Sequence, residues 1–359
     1  MPNKTLSSVC ADCQSAEASL DVRKRRLCRD CFVKYVQSKV LKRMESYRFK
    51  NLKNDQKRRL LLPVSGGVSS ATLLQILDAQ LRQQLATRNR TAYDLVVVHL
   101  AGPGESIETI RSWLEVLTER FLIQMPQPVL YLSDVFKLDP AIGDDLRHLG
   151  LQLVDEMSPD EQAQHVLNAA KSVTAGTDLQ DLLLSRLMVS FAKQQGCEAI
   201  LWGHSDSRLA AKALAGVAKG RGGALPFDIC DGLTPWKLYF NYPLRDLFLA
   251  ELSTYARVLP DTFADLTMEN PTSRTPTSIR QTSIDDLLTR YTTTQGEKYP
   301  SIMANVVRTV SKLQAPQTGG GYSRCAICAM PIANDANDGP PETQLCYACT
   351  RTKQDINQD

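Results

Sequence analysis

Leu61-Leu62-Pro63-Val64-Ser65-Gly66-Gly67-Val68-Ser69-Ser70 is the stretch that decides how this chain folds. The run from Arg59 to Val64 is apolar after its first residue and stops at a serine and two glycines. Leu73, Leu74, Leu77 and Leu81 then recur at helical spacing. The pattern reads as strand, tight glycine loop, helix. In such a loop successive backbone N–H groups and the positive end of the helix dipole converge, which makes a cradle for an anion. Ser65, Gly66, Gly67, Ser69 and Ser70 are therefore a candidate anion site, which the resemblance given below makes a nucleotide site.

The alternation continues downstream. Leu95–Leu100 is a continuous apolar run, as a buried parallel strand requires. A helix follows over Ile107–Leu122 and a strand over Val129–Leu132. A long acidic insertion occupies about 134–177; over 134–181 the chain has 10 acidic and 3 basic residues. Helices are expected at Leu179–Gln195, Ser207–Lys219 and Leu247–Val258, with strands at Ala199–Trp202 and Leu238–Leu244. This order predicts an α/β domain with a parallel sheet over 59–258. Residues 1–58 read as a cysteine-rich entry and a basic helix over 32–58. Residues 259–314 read as a Thr/Ser/Pro-rich, loosely structured connector over 260–300 and a helix at Ser301–Leu313; residues 315–359 form a second cysteine module.

Ten cysteines occur, eight of them in four C-x-x-C pairs. Cys10-x-x-Cys13 and Cys28-x-x-Cys31 are separated by 14 residues, Cys325-x-x-Cys328 and Cys346-x-x-Cys349 by 17. Each pair forms a knuckle that aims two thiolates at one point, and two knuckles complete a tetrahedral sulfur site suited to structural zinc. An iron–sulfur cluster is the alternative occupant. Cys197 and Cys230 stand alone, and their spacing assigns them no role.

Net charge is +3, unevenly spread. Residues 1–59 hold 16 Lys/Arg and 6 Asp/Glu, leaving 26 and 33 for the other 300 residues, a net of −7. A basic end on an acidic body points to a polyanion partner. Arg23-Lys24-Arg25-Arg26 in the first knuckle and Lys57-Arg58-Arg59 before the first strand are the candidate RNA contacts. No run is long and apolar enough to span a membrane, and Met1–Leu20 has no secretory h-region, so the cytoplasm is the expected location and no membrane partner is expected.

The loop resembles the PP-loop of N-type ATP pyrophosphatases, S-G-G-x-D-S. Ser65, Gly66, Gly67 and Ser70 match, and Ser69 stands where the family has aspartate, which leaves ATP binding open. Trp202-Gly203-His204-Ser205-Asp206-Ser207-Arg208 resembles the G-H-N-x-D-D element of PP-loop enzymes that modify tRNA. Gly203 and His204 match, which adds His204 to the nucleotide site, and the acidic pair does not. In the tRNA 2-thiolation enzymes of this group a C-x-x-C opens the helix before that strand. Here the helix begins Thr177-Asp178-Leu179-Gln180-Asp181, without cysteine, so no catalytic residue is assigned.

Cysteine module, basic helix, PP-loop domain and second cysteine module follow one another as in the cytoplasmic tRNA 2-thiolation proteins. The degenerate loop and missing thiols resemble the cytoplasmic tRNA 2-thiolation protein 2 family. That resemblance implies a non-catalytic subunit paired with an active PP-loop paralogue. The pair would install 2-thiouridine at the wobble position of tRNAs for Lys, Gln and Glu. Sulfur would come from a thiocarboxylated ubiquitin-like carrier, the link to protein urmylation. Two rival readings remain: an ATP-dependent sulfurtransferase in its own right, and a protein adaptor for the carrier without RNA contact.

Overall fold

A computed structural model describes residues 9–49, 57–154, 156–268, 282–313, 322–333 and 344–357. The chain opens with an antiparallel hairpin, β1 (Leu20–Val22) and β2 (Arg25–Leu27), and a helix, α1 (Arg29–Arg43). Strand β3 (Arg58–Val64), α2 (Val68–Arg88), β4 (Tyr93–Leu100), α3 (Ile107–Arg120) and β5 (Val129–Leu130) follow. The acidic insertion forms α4 (Val135–Leu138), α5 (Ile142–Arg147) and α6 (Pro159–Asn168), and leads into α7 (Val173–Gln194). Then come β6 (Ala199–Leu201), α8 (Asp206–Ala218), α9 (Leu225–Asp228), β7 (Gly232–Leu233), β8 (Tyr239–Asn241), α10 (Leu249–Val258) and α11 (Pro260–Phe263). The C-terminal part holds α12 (Ile284–Lys298), α13 (Pro300–Val310), β9 (Tyr322–Arg324), β10 (Pro331–Ala333) and α14 (Tyr347–Gln354).

The central sheet has the order β5-β4-β3-β6-β8-β7, parallel except for the β7–β8 edge. Side chains of the two inner strands divide cleanly by the period of two. Leu60, Leu62, Val64, Leu95 and Val97 join the core under α1, α2, α3 and α10. Leu61, Val96 and Val98 join the core under α7 and α8, which extends to α13 and the C-terminal cysteines. The β3–β6 ladder stops at Leu61, two residues before Pro63, which has no N–H to give. From β3 the chain builds outward through β4 to β5, then returns to the other side of β3 with β6. Such a reversal opens a crevice at the carboxyl ends of the strands, where α/β sheets bind ligands.

Two expectations change. The helix expected over 32–58 ends at Arg43, and a 3₁₀ turn at Glu45–Tyr47 follows. Met44 and Tyr47 are buried there; Tyr47 Oη donates to Asn241 Oδ1 at 2.6 Å and its ring meets Tyr93 edge-on. Residues 50–56 of that expectation lie outside the described residues. The connector expected over 260–300 contains α12, whose Ser283 side chain caps it by accepting from Asp286 N at 3.0 Å. Packing against α8, with Thr292 buried, overrides the poor helix propensity of Thr292-Thr293-Thr294. Residues 269–281 of the connector are again outside the described residues. The acidic insertion is folded onto α7, because the buried Arg186 guanidinium reaches both Asp139 and Asp145 at 2.6 Å.

Candidate functional site

The glycine loop sits at the switch point between β3 and β6. Gly66 takes φ +69°, a left-handed backbone that suits glycine. Ser70, buried in the first turn of α2, closes the loop on itself: its hydroxyl donates to Gly67 O at 3.0 Å and accepts from Ser65 N at 3.3 Å. The second loop touches the first, since a Cβ on Gly203 would stand 3.3 Å from Ser70 Cα. Met268 N donates to Gly66 O at 2.9 Å, so the chain after α11 returns to the glycine loop. Behind it, His99 bridges Val64 O (2.9 Å) and Glu105 Oε2 (2.8 Å). Neither His99 nor Met268 was legible, the first hidden in the apolar run of β4 and the second far away in sequence.

His204 turns to the α7/α8 side. Its ring stacks between Trp202 and Tyr242, with centroids at 5.5 and 5.8 Å. Burial, with Lys212 and Arg208 nearby, holds its pKa well below the ordinary imidazole value, so the ring is neutral. It lines a cavity of about 180 Å³ walled by α7, α8 and the second cysteine module. Trp202 Nε1, His204 Nδ1 and Asp285 Oδ2 are buried there with no hydrogen-bond partner among the described residues. Next to His204, Asp206 is buried at the start of α8. Its carboxyl is pushed up to about 7 by burial; Asp246 and Glu251 add to this, while Arg23 and Arg245 oppose it.

The cavity is lined by Asp178 and Asp181, at the start of the helix where the resemblance implies a C-x-x-C. Asp178 is buried and bound by both arms of Arg221, by Thr352 Oγ1 at 2.9 Å and by Lys219 Nζ at 3.3 Å. Burial raises its pKa, but Arg221, Lys219 and Thr352 outweigh that and hold it down to about 2. It is a fixed anion in an ion-pair cluster with no nucleophilic chemistry. The two lone cysteines do not line the cavity. Burial pushes the Cys197 thiol up to about 11 and raises that of Cys230, so both stay protonated.

Both cysteine groups assemble. In each, the four sulfurs lie within 4.8 Å of one another. Cys13 and Cys28 Sγ are 3.9 Å apart, Cys328 and Cys346 Sγ 3.6 Å. Four thiolates at about 2.3 Å from one tetrahedral ion would stand about 3.8 Å apart, so the donor set fits a single metal ion. Local sequence favours the convergence: Cys28 immediately precedes α1 and Cys346 immediately precedes α14, which places the second pair of each site at a helix N-terminus where thiolate is favoured.

The candidate RNA contacts are not brought together. Arg23 donates to Glu251 Oε1 at 3.0 Å and stacks on Phe248, beyond the carboxyl end of β8. Arg25 pairs with Asp12, and Arg26 with Asp21. Arg58 and Arg59 begin β3, at the opposite end of the sheet; Arg58 donates to Ser46 O at 2.7 Å and Arg59 to Gln124 Oε1 at 2.8 Å. Lys24 and Lys57 are exposed.

A parallel sheet with its glycine loop at the switch point, flanked by two four-cysteine modules, defines a PP-loop α/β protein. The chain is similar over 97% of its length, and 97% of the other's, to the U34-tRNA thiolase NcsA from Methanococcus maripaludis with its [4Fe-4S] cluster (TM-score 0.57, 15% identity). A family model described as cytoplasmic tRNA 2-thiolation protein 2 matches residues 283–343. Proteins of that name from Neosartorya fischeri and Coccidioides immitis are 39% and 40% identical, over 99% and 97% of this chain and 100% and 97% of theirs. The chain belongs to the cytoplasmic tRNA 2-thiolation protein 2 family, and its role is in tRNA thiolation. No helix among the described residues is long and apolar enough to cross a membrane.

Proposed function

We propose that this chain is the non-catalytic half of a heterodimeric tRNA thiolase acting in the cytoplasm. Its partner would be a paralogue that retains S-G-G-x-D-S and the catalytic cysteines. The pair would thiolate the wobble uridine of tRNAs for Lys, Gln and Glu with sulfur from a thiocarboxylated ubiquitin-like carrier. The observation that supports this reading is Asp178. Sulfur transfer needs a thiolate nucleophile or a cluster ligand. Where the resemblance implies one, a carboxylate stands locked against Arg221 and Lys219. Ser69 removes the loop carboxylate as well. Both cysteine groups would hold structural zinc, since four protein thiolates leave no open coordination position.

The test is ATP-to-pyrophosphate turnover and 2-thiouridine formation with tRNA, for the chain alone, the paralogue alone and the co-expressed pair. Activity is expected only with the pair, which elutes as one heterodimer by light scattering. Turnover by the isolated chain, abolished in Cys230→Ala or Cys197→Ala, would replace this reading with the sulfurtransferase. Thiolation unchanged without the chain, with the carrier no longer recruited, would favour the adaptor.

A further inference from the structure

Arg221 lies at the junction between Asp178 and the C-terminal cysteine group. Its Nη1 points at Cys349 Sγ from 3.8 Å, while Nε and Nη2 grip the two oxygens of Asp178. Asp178 also accepts from Thr352, one turn beyond Cys349 on α14. The turn that carries Arg221 is moulded to the same helix. Gly220 has φ +75° and a Cβ there would stand 2.6 Å from Tyr347 Cε1, and Arg351 Nη1 donates to Ala218 O at 3.2 Å. One divalent ion bound by four thiolates carries a net charge of −2. Cys325 and Cys349 are buried, so water does little to offset that charge. A charged donor aimed at a metal-bound sulfur stabilises the thiolate, and such outer partners set metal affinity by about 10- to 100-fold.

We propose that Arg221 is a positioning residue of the C-terminal metal site. It donates to the Cys349 thiolate, and Asp178 fixes its direction. The carboxylate where the resemblance implies a catalytic thiol thus serves a structural ion one shell away. Metal retention and the seating of α14 on α7 become one event. The inference rests on the cysteine groups being metal sites. The N-terminal group is an internal control: among the described residues no arginine or lysine donates to its sulfurs, and Cys13 is exposed.

The full chain, co-expressed with its partner where needed, is loaded with zinc and challenged with excess colorimetric chelator. Two phases are expected, a fast one from the N-terminal site and a slow one from the C-terminal site. Arg221→Met is expected to speed the slow phase about tenfold or more and leave the fast phase unchanged. Asp178→Asn is expected to act in the same direction. Lys219→Met breaks the same ion-pair cluster without reaching sulfur, and is expected to change the slow phase less than about threefold. An unchanged slow phase in Arg221→Met, or equal acceleration by Lys219→Met, would overturn the proposal. If instead Cys349→Ser retains as much zinc as the unaltered chain, the metal reading of this site fails on its own.

Discussion

Met268 occupies the one side of Gly66 that has no side chain. A Cβ on Gly66 would meet Met268 Cε at 2.8 Å and Cβ at 2.9 Å, and the Met268 N–H is bonded to the Gly66 carbonyl. The Trp113 indole holds the same segment by donating to Leu266 O at 3.2 Å. The chain's own backbone therefore covers part of the degenerate loop. Gly66→Ala combines the left-handed φ with this contact and is expected to cost about 2–3 kcal/mol. In a Met268→Gly background, which removes both Met268 Cε and Cβ, only the φ component of about 1 kcal/mol remains. Additive costs in a double-mutant cycle by urea denaturation would show that the two residues are not coupled.

Arg186 anchors the acidic insertion. It is 4% exposed and binds Asp139 and Asp145, with its guanidinium 5.4 Å from the Trp236 ring centroid. Removing one partner of a buried ion pair leaves the other uncompensated, at about 3–5 kcal/mol. Arg186→Met is expected to lower the melting temperature and open residues 139–160 to protease before the rest of the chain. Uniform digestion would contradict this.

The parallel sheet and both cysteine groups were legible because each rests on short-range chemistry. Val64-Ser65-Gly66-Gly67 carries its own turn chemistry, and each cysteine group joins one C-x-x-C knuckle to a second that starts a helix. Contacts made at long range were not legible. Arg221 meets Cys349 across 128 positions and Trp113 meets Leu266 across 153, and no local pattern encodes either. Counting charge over 23–59 likewise cannot tell a lysine in water from an arginine bonded to a carbonyl, so the basic end was legible but not which of its side chains the fold engages. Helix α12 was missed because its stability comes from the α8 face it covers.

Asp206 gives the stability a pH signature. Its carboxyl titrates near 7 in the folded chain against 3.8 for the ordinary value. The folded state therefore binds more protons between these limits, and stability falls as pH rises from about 4 through 7. Above pH 7 the buried carboxylate costs at most about 4 kcal/mol, offset in part by Arg23 and Arg245. Asp206→Asn is expected to melt higher than the unaltered chain at pH 8, with the gap closing toward pH 4. A gap of equal size at both pH values would remove Asp206 as its source.

Electrostatic contacts to RNA and contacts that hold the fold can be separated residue by residue. Lys24, Lys34, Lys42 and Lys57 are exposed, whereas Arg58 and Arg59 spend their guanidinium groups on Ser46 O, Glu198, Gln195 O and Gln124. On the proposed reading, charge reversal at the lysines is expected to remove phosphate partners and to leave the fold intact. Lys24→Glu/Lys34→Glu/Lys42→Glu in the proposed heterodimer is expected to weaken tRNA binding and to flatten the slope of log affinity against log salt by about 2–3. Its melting temperature is expected to stay within about 2 °C. Arg59→Glu is expected to do the opposite, lowering the melting temperature by several degrees because two hydrogen bonds at the start of β3 are lost. It is expected to leave the salt slope almost unchanged. If the lysine triple variant binds tRNA with the unaltered slope, the basic face of α1 is a solvated surface and the RNA must be held elsewhere.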